Sequence, residues 1–352
     1  MGAGVSADTV GEVVDLVIDP LRGERVSIEV PIEFRTPLED ARRQLGLADW
    51  VDASDPIVAR GIALLAAARR AEPKIQLALL GGAAHRFRCL ASNRTDLGLR
   101  RGLHDLDIAC LHRELPAVRT FLATVHQREG SGLQVFETNG DRIINSLGEG
   151  RRLRLHMVLE ERAGDIALGS IDLLADEFRF CHRFDLKADV LDSPQQHSTL
   201  SPTLLLVAKL QFIQRIPGED REKVGERVLA PFGRRDVIIG LEPKDVRDVL
   251  ALLLDHPVAE VPDGISPRRV AALVSADWGL WRTLSLNLEM VGRSSILREL
   301  PEGPRLQIRN RLDSLGAILS AASPKRRFGF LGGAWWEEVD ALPSVDGTAS
   351  VD

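Results

Sequence analysis

Apolar and polar positions repeat with two periods along the chain, and the change of period marks its organisation. "RVSIEVPIEF" alternates residue by residue and predicts a short strand or hairpin arm, and "LEDARRQLG" predicts a short helix closed by Gly46. "DPIVARGIALLAAARRAEP" carries the spacing of a helix, with Asp55 as N-cap, Pro56 at the first position and Pro73 as the stop. "KIQLALL" predicts a strand ending at Gly81 and Gly82, "AAHRFRCLA" the start of a helix, "LHDLDIACL" an alternating strand, and "ELPAVRTFLATVHQREG" an amphipathic helix. The period then falls to two. "LQVFET" and "DRIINSL" flank Asn139-Gly140, a pair favoured in two-residue hairpin turns, and "RRLRLHMVLEE" and "DIALGSIDLLADEFRF" alternate likewise.

From Ser198 the pattern is helical again. "SPTLLLVAKLQFIQRI" is apolar almost throughout and predicts a buried helix, and "EPKDVRDVLALLLDH" puts Val246, Val249, Leu250 and Leu253 on one face. "SPRRVAALVSADWGLWRTLSLNLEMV" and "PRLQIRNRLDSLGAILSAA" predict two more helices, and the chain after Pro324 predicts a disordered tail. The order implies a strand and helix extension over 1–54, an α+β or α/β domain with a mixed sheet over 55–192, a helical domain over 193–325, and a tail over 326–352.

Composition narrows the class. The 352 residues are 44% hydrophobic and 27% charged, which suits a globular chain with a sizeable core, and the net charge of -6 gives no global basic field to attract nucleic acid. Cys89, Cys110 and Cys181 are too few and too scattered for a disulfide framework and form no CxxC zinc pair, so a reducing, cytoplasmic setting is expected. No apolar run has the length of a membrane span, and neither a signal peptide nor a membrane anchor is expected.

The candidate chemistry begins at Asp105 and Asp107. Two apart on a strand, they share a face, and side-by-side carboxylates are costly unless a cation neutralises them; Mg²⁺ or Mn²⁺ is the usual solution. The alternative for a bare D-x-D is a solvated strand face. Gly81 and Gly82 sit between a strand and a helix, where a turn without Cβ atoms lets backbone approach a phosphate; the alternative is a tight packing turn. No GxGxxG or Walker A pattern follows. In "GSIDLLADEF" Asp172 and Asp176 share a face, and Asp172, mid-strand, is expected to be a third acid. Lys209 is the only charge between Ser201 and Gln214, so it either snorkels or needs an anionic partner, and the acidic cluster with its phosphate load is the expected one. Asp245 and Asp248 lie at a helix start, where they serve the helix dipole or a site. His104-Asp105 also gives the "HD" of metal phosphohydrolases, a reading that requires a helix at Leu103–Leu111.

"LLGG", then "HDLDIA", then "SIDLL" resembles the nucleotidyltransferase-fold superfamily related to DNA polymerase beta. "LVAKLQFIQR" and "EPKDVRDVLALL" resemble one branch of it, the AbiEii-type toxin nucleotidyltransferases. The resemblance covers about 75–255, and it departs from the family where "GLRRGLH" replaces a Ser- or Thr-rich approach to the acids. It implies a nucleotidyltransferase-like mixed sheet with flanking helices and a C-terminal helical domain. It implies Asp105, Asp107 and Asp172 as ligands of Mg²⁺ or Mn²⁺, Gly81 and Gly82 as the phosphate-side turn, Lys209 as a triphosphate contact, and Asp245 as the last motif acid. The reaction implied is transfer of a nucleoside monophosphate from an NTP to an acceptor hydroxyl on RNA (tRNA among the candidates), a protein or a small molecule, with an antitoxin as a candidate partner. A catalytically inactive binding protein of the same fold is the alternative, and a metal phosphohydrolase a weaker one.

Overall fold

The computed structural model describes residues 13–18, 25–29, 35–71, 75–129, 133–136, 145, 151–161, 164–192, 198–213, 226–228, 237–239 and 241–324. The chain is mixed α+β, and its centre is a five-stranded sheet. β1 (Val13–Ile18) and β2 (Arg25–Glu29) form a separate antiparallel pair, followed by α1 (Arg35–Leu45), which ends at Gly46 as the sequence predicts. α2 (Pro56–Arg70) begins where expected: the Asp55 carboxylate accepts from the backbone N–H groups of Ile57 and Val58, a cap contributing about 1 kcal/mol.

The sheet comprises β3 (Leu77–Leu80), β4 (Asp105–Cys110), β5 (Leu133–Phe136), β6 (Arg152–Glu161) and β7 (Gly164–Ala175), in the order β3-β4-β7-β6-β5. β4 and β7 run parallel and every other pair is antiparallel. The parallel pair arises because β4 crosses over through α5 (Leu115–Glu129), β5 and β6 before the chain returns as β7. β3, buried along its length, lies under α2, and its outer side is covered by residues 198–200: Leu79 donates to Ser198 and its carbonyl accepts from Leu200.

α3 (Gly81–Arg88) and the short α4 (Leu90–Asn93) follow β3. After β7 come a small hairpin, β8 (Glu177–Arg179) and β9 (Arg183–Asp185), and α6 (Lys187–Asp192). α7 (Pro202–Leu210), buried on all sides as predicted, packs on α3 and on α8 (Pro243–Asp255), whose Val246, Val249, Leu250 and Leu253 are all buried. α9 (Pro267–Ala276), α10 (Trp278–Arg293), α11 (Ser295–Glu299) and α12 (Glu302–Ala321) complete this part, and α12 packs on α8, α9 and α10.

Besides the helix predicted over "SPTLLLVAKLQFIQRI", which stops at Leu210, two boundaries differ from the sequence reading. "DIALGSIDLLADEFRF" is two strands, broken where Asp176 takes a left-handed backbone (φ 65°) and its carboxylate accepts from the His112 N–H. "SPRRVAALVSADWGLWRTLSLNLEMV" is two helices, broken where Asp277 caps α10 through the N–H groups of Gly279 and Leu280. In both places an aspartate bonds backbone more favourably than the continuing element would. The Asn139-Gly140 turn, the chain from 214 to 225 and the tail after 324 lie outside the described residues.

Candidate functional site

Three neighbouring strands supply the charges. On β4, Leu106 and Ile108 are fully buried on one face, so Asp105 and Asp107 share the other. The segment is a strand, not the helix that the phosphohydrolase reading requires. β7 lies in a register that sets Asp172 opposite Asp107, and β6 sets Arg154 opposite Asp172. The row Asp107–Asp172–Arg154 therefore crosses three strands. Asp172 is the acid beside Asp107, as expected, while Asp176 bonds the His112 backbone instead.

Asp172 is strongly engaged. Arg154 donates to both its oxygens, at 2.8 and 2.6 Å, and Arg152 to one, at 3.3 Å. Burial alone would raise its carboxyl pKa, but the Arg154 hydrogen bonds and the two guanidinium charges outweigh burial and hold it below the ordinary value. Asp107 has the opposite environment: burial, then repulsion from Asp105 and Asp172, push its carboxyl up to about 8.

The turn above the acids requires glycine. Gly81 has φ +63°, and a Cβ there would overlap the Asp107 carboxylate. A Cβ on Gly82 would meet the Arg101 guanidinium. The Gly81 carbonyl lies 2.6 Å from Nδ1 of His85, one turn into α3; burial holds this histidine neutral, with its pKa lowered to about 4.

A second charged group faces the first from the helical side. Lys209 on α7 is 2.7 Å from Asp245 and 3.0 Å from Asp248, both on α8. Arg101 makes a two-pronged contact with Asp248, Nε at 3.0 Å and Nη2 at 2.8 Å. Burial works against the Lys209 ammonium, but Asp248 and Asp245 outweigh it and raise its pKa. Asp248 is held well below the usual carboxylate range, because Lys209, His85 and Arg101 overcome its burial. The protein partners of Lys209 are thus the Asp245–Asp248 pair of its own helical region rather than the acids of the sheet.

Both groups open on one cleft of about 270 Å³, lined by Gly81, Gly82, Arg101, His104, Asp105, Asp107, Arg152, Arg154, Asp172, Lys209, Lys244 and Asp245, and by Leu174, Leu205, Phe178, Phe180 and Phe212. The expected site residues are thus brought together. Arg152, Arg154, Phe180 and Phe212 escaped the sequence reading, although "RRLRLH" carries the two arginines with the same two-residue spacing as the acids. Compared with protein-family models and with curated proteins, the chain finds no match.

The donor set fits a divalent cation at Asp105 and Asp107: they are hard oxygen ligands on one face, and Asp107 is raised by burial and then by the neighbouring Asp105 and Asp172 carboxylates. Asp172 adjoins them but is committed to Arg154 and Arg152, and among the described residues no three His, Cys, Asp or Glu side chains are gathered as a ready metal-ligand set.

Proposed function

We propose that the chain is a metal-dependent nucleotidyltransferase that moves a nucleoside monophosphate from an NTP to the hydroxyl of an acceptor. The observation that supports this most is the cleft's alternation of charge. The carboxylates of Asp105, Asp107, Asp172 and Asp245 share one cavity with Arg101, Arg152, Arg154, Lys209 and Lys244. A cavity with both signs in near balance suits a metal–polyphosphate pair better than a bare cation or a bare anion.

In this reading Asp105 and Asp107 hold Mg²⁺ or Mn²⁺, with Asp172 as the third acid. An ion held there would supply activation of the attacking hydroxyl and counter-charge for the triphosphate and its pyrophosphate leaving group. With its carboxyl raised to about 8, Asp107 would have to give up a proton to hold a cation, so cation affinity is expected to rise with pH. Gly81 and Gly82 leave room for a phosphate against the backbone. Arg101 and Lys209, neutralised in part by Asp245 and Asp248, are fixed in place to face polyphosphate charge. The fold is read as nucleotidyltransferase-like and similar to the AbiEii-type toxins, with a cytoplasmic location and an antitoxin as candidate partner. The acceptor is an RNA, a protein or a small molecule.

One observation favours the rival, a catalytically silent binding protein of the same fold: two arginines occupy the Asp172 carboxylate. Incubation with each labelled NTP, Mg²⁺ or Mn²⁺ and a cell extract separates the two. Label passing to an acceptor, and lost in Asp107→Asn, supports the transferase. Metal-dependent NTP binding with no transfer supports the rival, and no NTP binding at all refutes both.

A further inference from the structure

The cleft has a second lining whose chemistry is not that of phosphate or metal. Phe178 is buried and stacked on Phe184, with ring centroids 5.0 Å apart and planes 7° from parallel. Phe180 packs against Phe178 at 4.6 Å and edge-on against Phe212 at 5.5 Å. Phe180 and Phe212 are only half-buried, and both border the cavity. Phe212 stands three residues beyond Lys209, and Phe180 sits just past β8, so the aromatic lining adjoins both charged groups.

Arg152 joins the two linings. Its guanidinium carbon lies 4.5 Å from the Phe180 ring centroid, while its Nη2 reaches Asp172 at 3.3 Å. Among the described residues its Nε–H has no hydrogen-bond partner, and it is closed to solvent, so a small turn of the guanidinium brings it to a ligand in the cleft. A buried, unmade donor is costly, and a ligand acceptor would relieve it. A purely apolar group, such as an acyl chain or a leucine side chain, would bury the rings but leave that N–H unmade. A flat ring with acceptor atoms on its edge satisfies both the rings and the donor.

We propose that Phe180 and Phe212 seat the base of the bound nucleotide and that the Arg152 Nε–H donates to an acceptor atom on the base edge. The proposal rests on the nucleotide reading of the cleft and adds which lining takes which half of the nucleotide. Every nucleobase has a π face and an edge acceptor, so this subsite selects a base over its absence and discriminates little among the four bases.

Calorimetric titration with two probes in Mg²⁺ tests it: an NTP, and inorganic triphosphate, which has no base. Phe180→Ala and Phe212→Ala are expected to weaken NTP binding about ten- to hundredfold, while triphosphate affinity changes by less than about twofold. Phe180→Trp keeps a stacking face and is expected to retain NTP binding, whereas Phe180→Leu, which keeps the apolar bulk and guards against a variant that fails to fold, is expected to lose it. Equal losses for both probes, or unchanged NTP affinity in the folded Ala and Leu variants, would overturn the base subsite and leave the nucleotide reading standing. A wild-type chain that binds neither probe would overturn the nucleotide reading and this proposal with it.

Discussion

The two aspartates facing Lys209 are not equivalent, and the difference can be measured. Among the described residues Asp245 forms an ion pair with Lys209 only, at 2.7 Å. Asp248 holds Lys209 at 3.0 Å and accepts two hydrogen bonds from Arg101, and its side chain is 4% exposed. Asp248→Asn removes the shared counter-charge of two cations and leaves Arg101 without its carboxylate, so the loss should approach that of a broken buried ion pair, about 3–5 kcal/mol. Asp245→Asn removes one charge-assisted bond while Asp248 still faces Lys209, and should cost about 1.5–3 kcal/mol. Urea unfolding at pH 7, extrapolated to water, gives both values. Because Arg101 and Asp248 act together, Arg101→Ala combined with Asp248→Asn should cost less than the sum of the two single changes. The sign of the pH effect follows from the depressed Asp248 pKa: its stabilisation is present above the ordinary aspartate value near 3.8 and is lost as pH falls below it, so Asp248→Asn should flatten the acid limb. Equal losses for the two Asn variants, or additivity with Arg101→Ala, would refute the shared-counter-charge reasoning.

Other consequences can be checked directly. His85 is neutral and buried with a pKa of about 4 against 6.5 for the free side chain, so the unfolded chain takes up the proton first and stability should fall by about 3 kcal/mol between pH 6.5 and 4. Urea unfolding across that range should show this as a pH-dependent difference between wild type and His85→Gln, because the opposite slope from the raised Asp107 carboxyl is common to both. Gly81→Ala forces a Cβ into the Asp107 carboxylate at a left-handed position and should cost on the order of 1–3 kcal/mol in thermal or urea unfolding, while displacing Asp107 and abolishing metal-dependent NTP binding. Asp107→Asn should raise the melting temperature of the metal-free chain by an amount that grows from about pH 4 and levels off near pH 8, because burial and then Asp105 and Asp172 make the wild-type carboxyl hold its proton over that range, and it should remove metal-dependent label transfer.

What could be read along the chain, and what could not, divides by distance in sequence. Asp105 and Asp107 were legible because a two-residue period fixes a face locally, and Gly81 because a glycine between strand and helix signals an unusual backbone. That Asp172 stands opposite Asp107 depends on a parallel register set by a crossover of some sixty residues, which no local pattern encodes. The grip of Arg154 on Asp172 and of Arg101 on Asp248 is non-local in the same way: the second pair is 147 residues apart. Lys209 is legible as a buried cation in need of an anion, but its protein partners are not, because helix α8 brings Asp245 and Asp248 to it through packing alone. The breaks at Asp176 and Asp277 were available in principle, since an aspartate with a run changing character after it is a capping signal, but the apolar periodicity on either side outweighed it.

The bonds that Leu79 makes to Ser198 and Leu200 have a mechanical meaning. The backbone that delivers the chain into α7, and hence carries Lys209 and Phe212, is stitched to the strand that ends at Gly81. A rocking motion between sheet and helices would have to tear this stitch before it could widen the cleft. Ligand capture is then a matter of side-chain rearrangement within a frame that keeps its shape, and the amides of Leu79 and Leu200 should rank among the slowest to exchange with deuterium. The same stitch shields the outer side of β3, an apolar edge that would otherwise invite pairing with another chain.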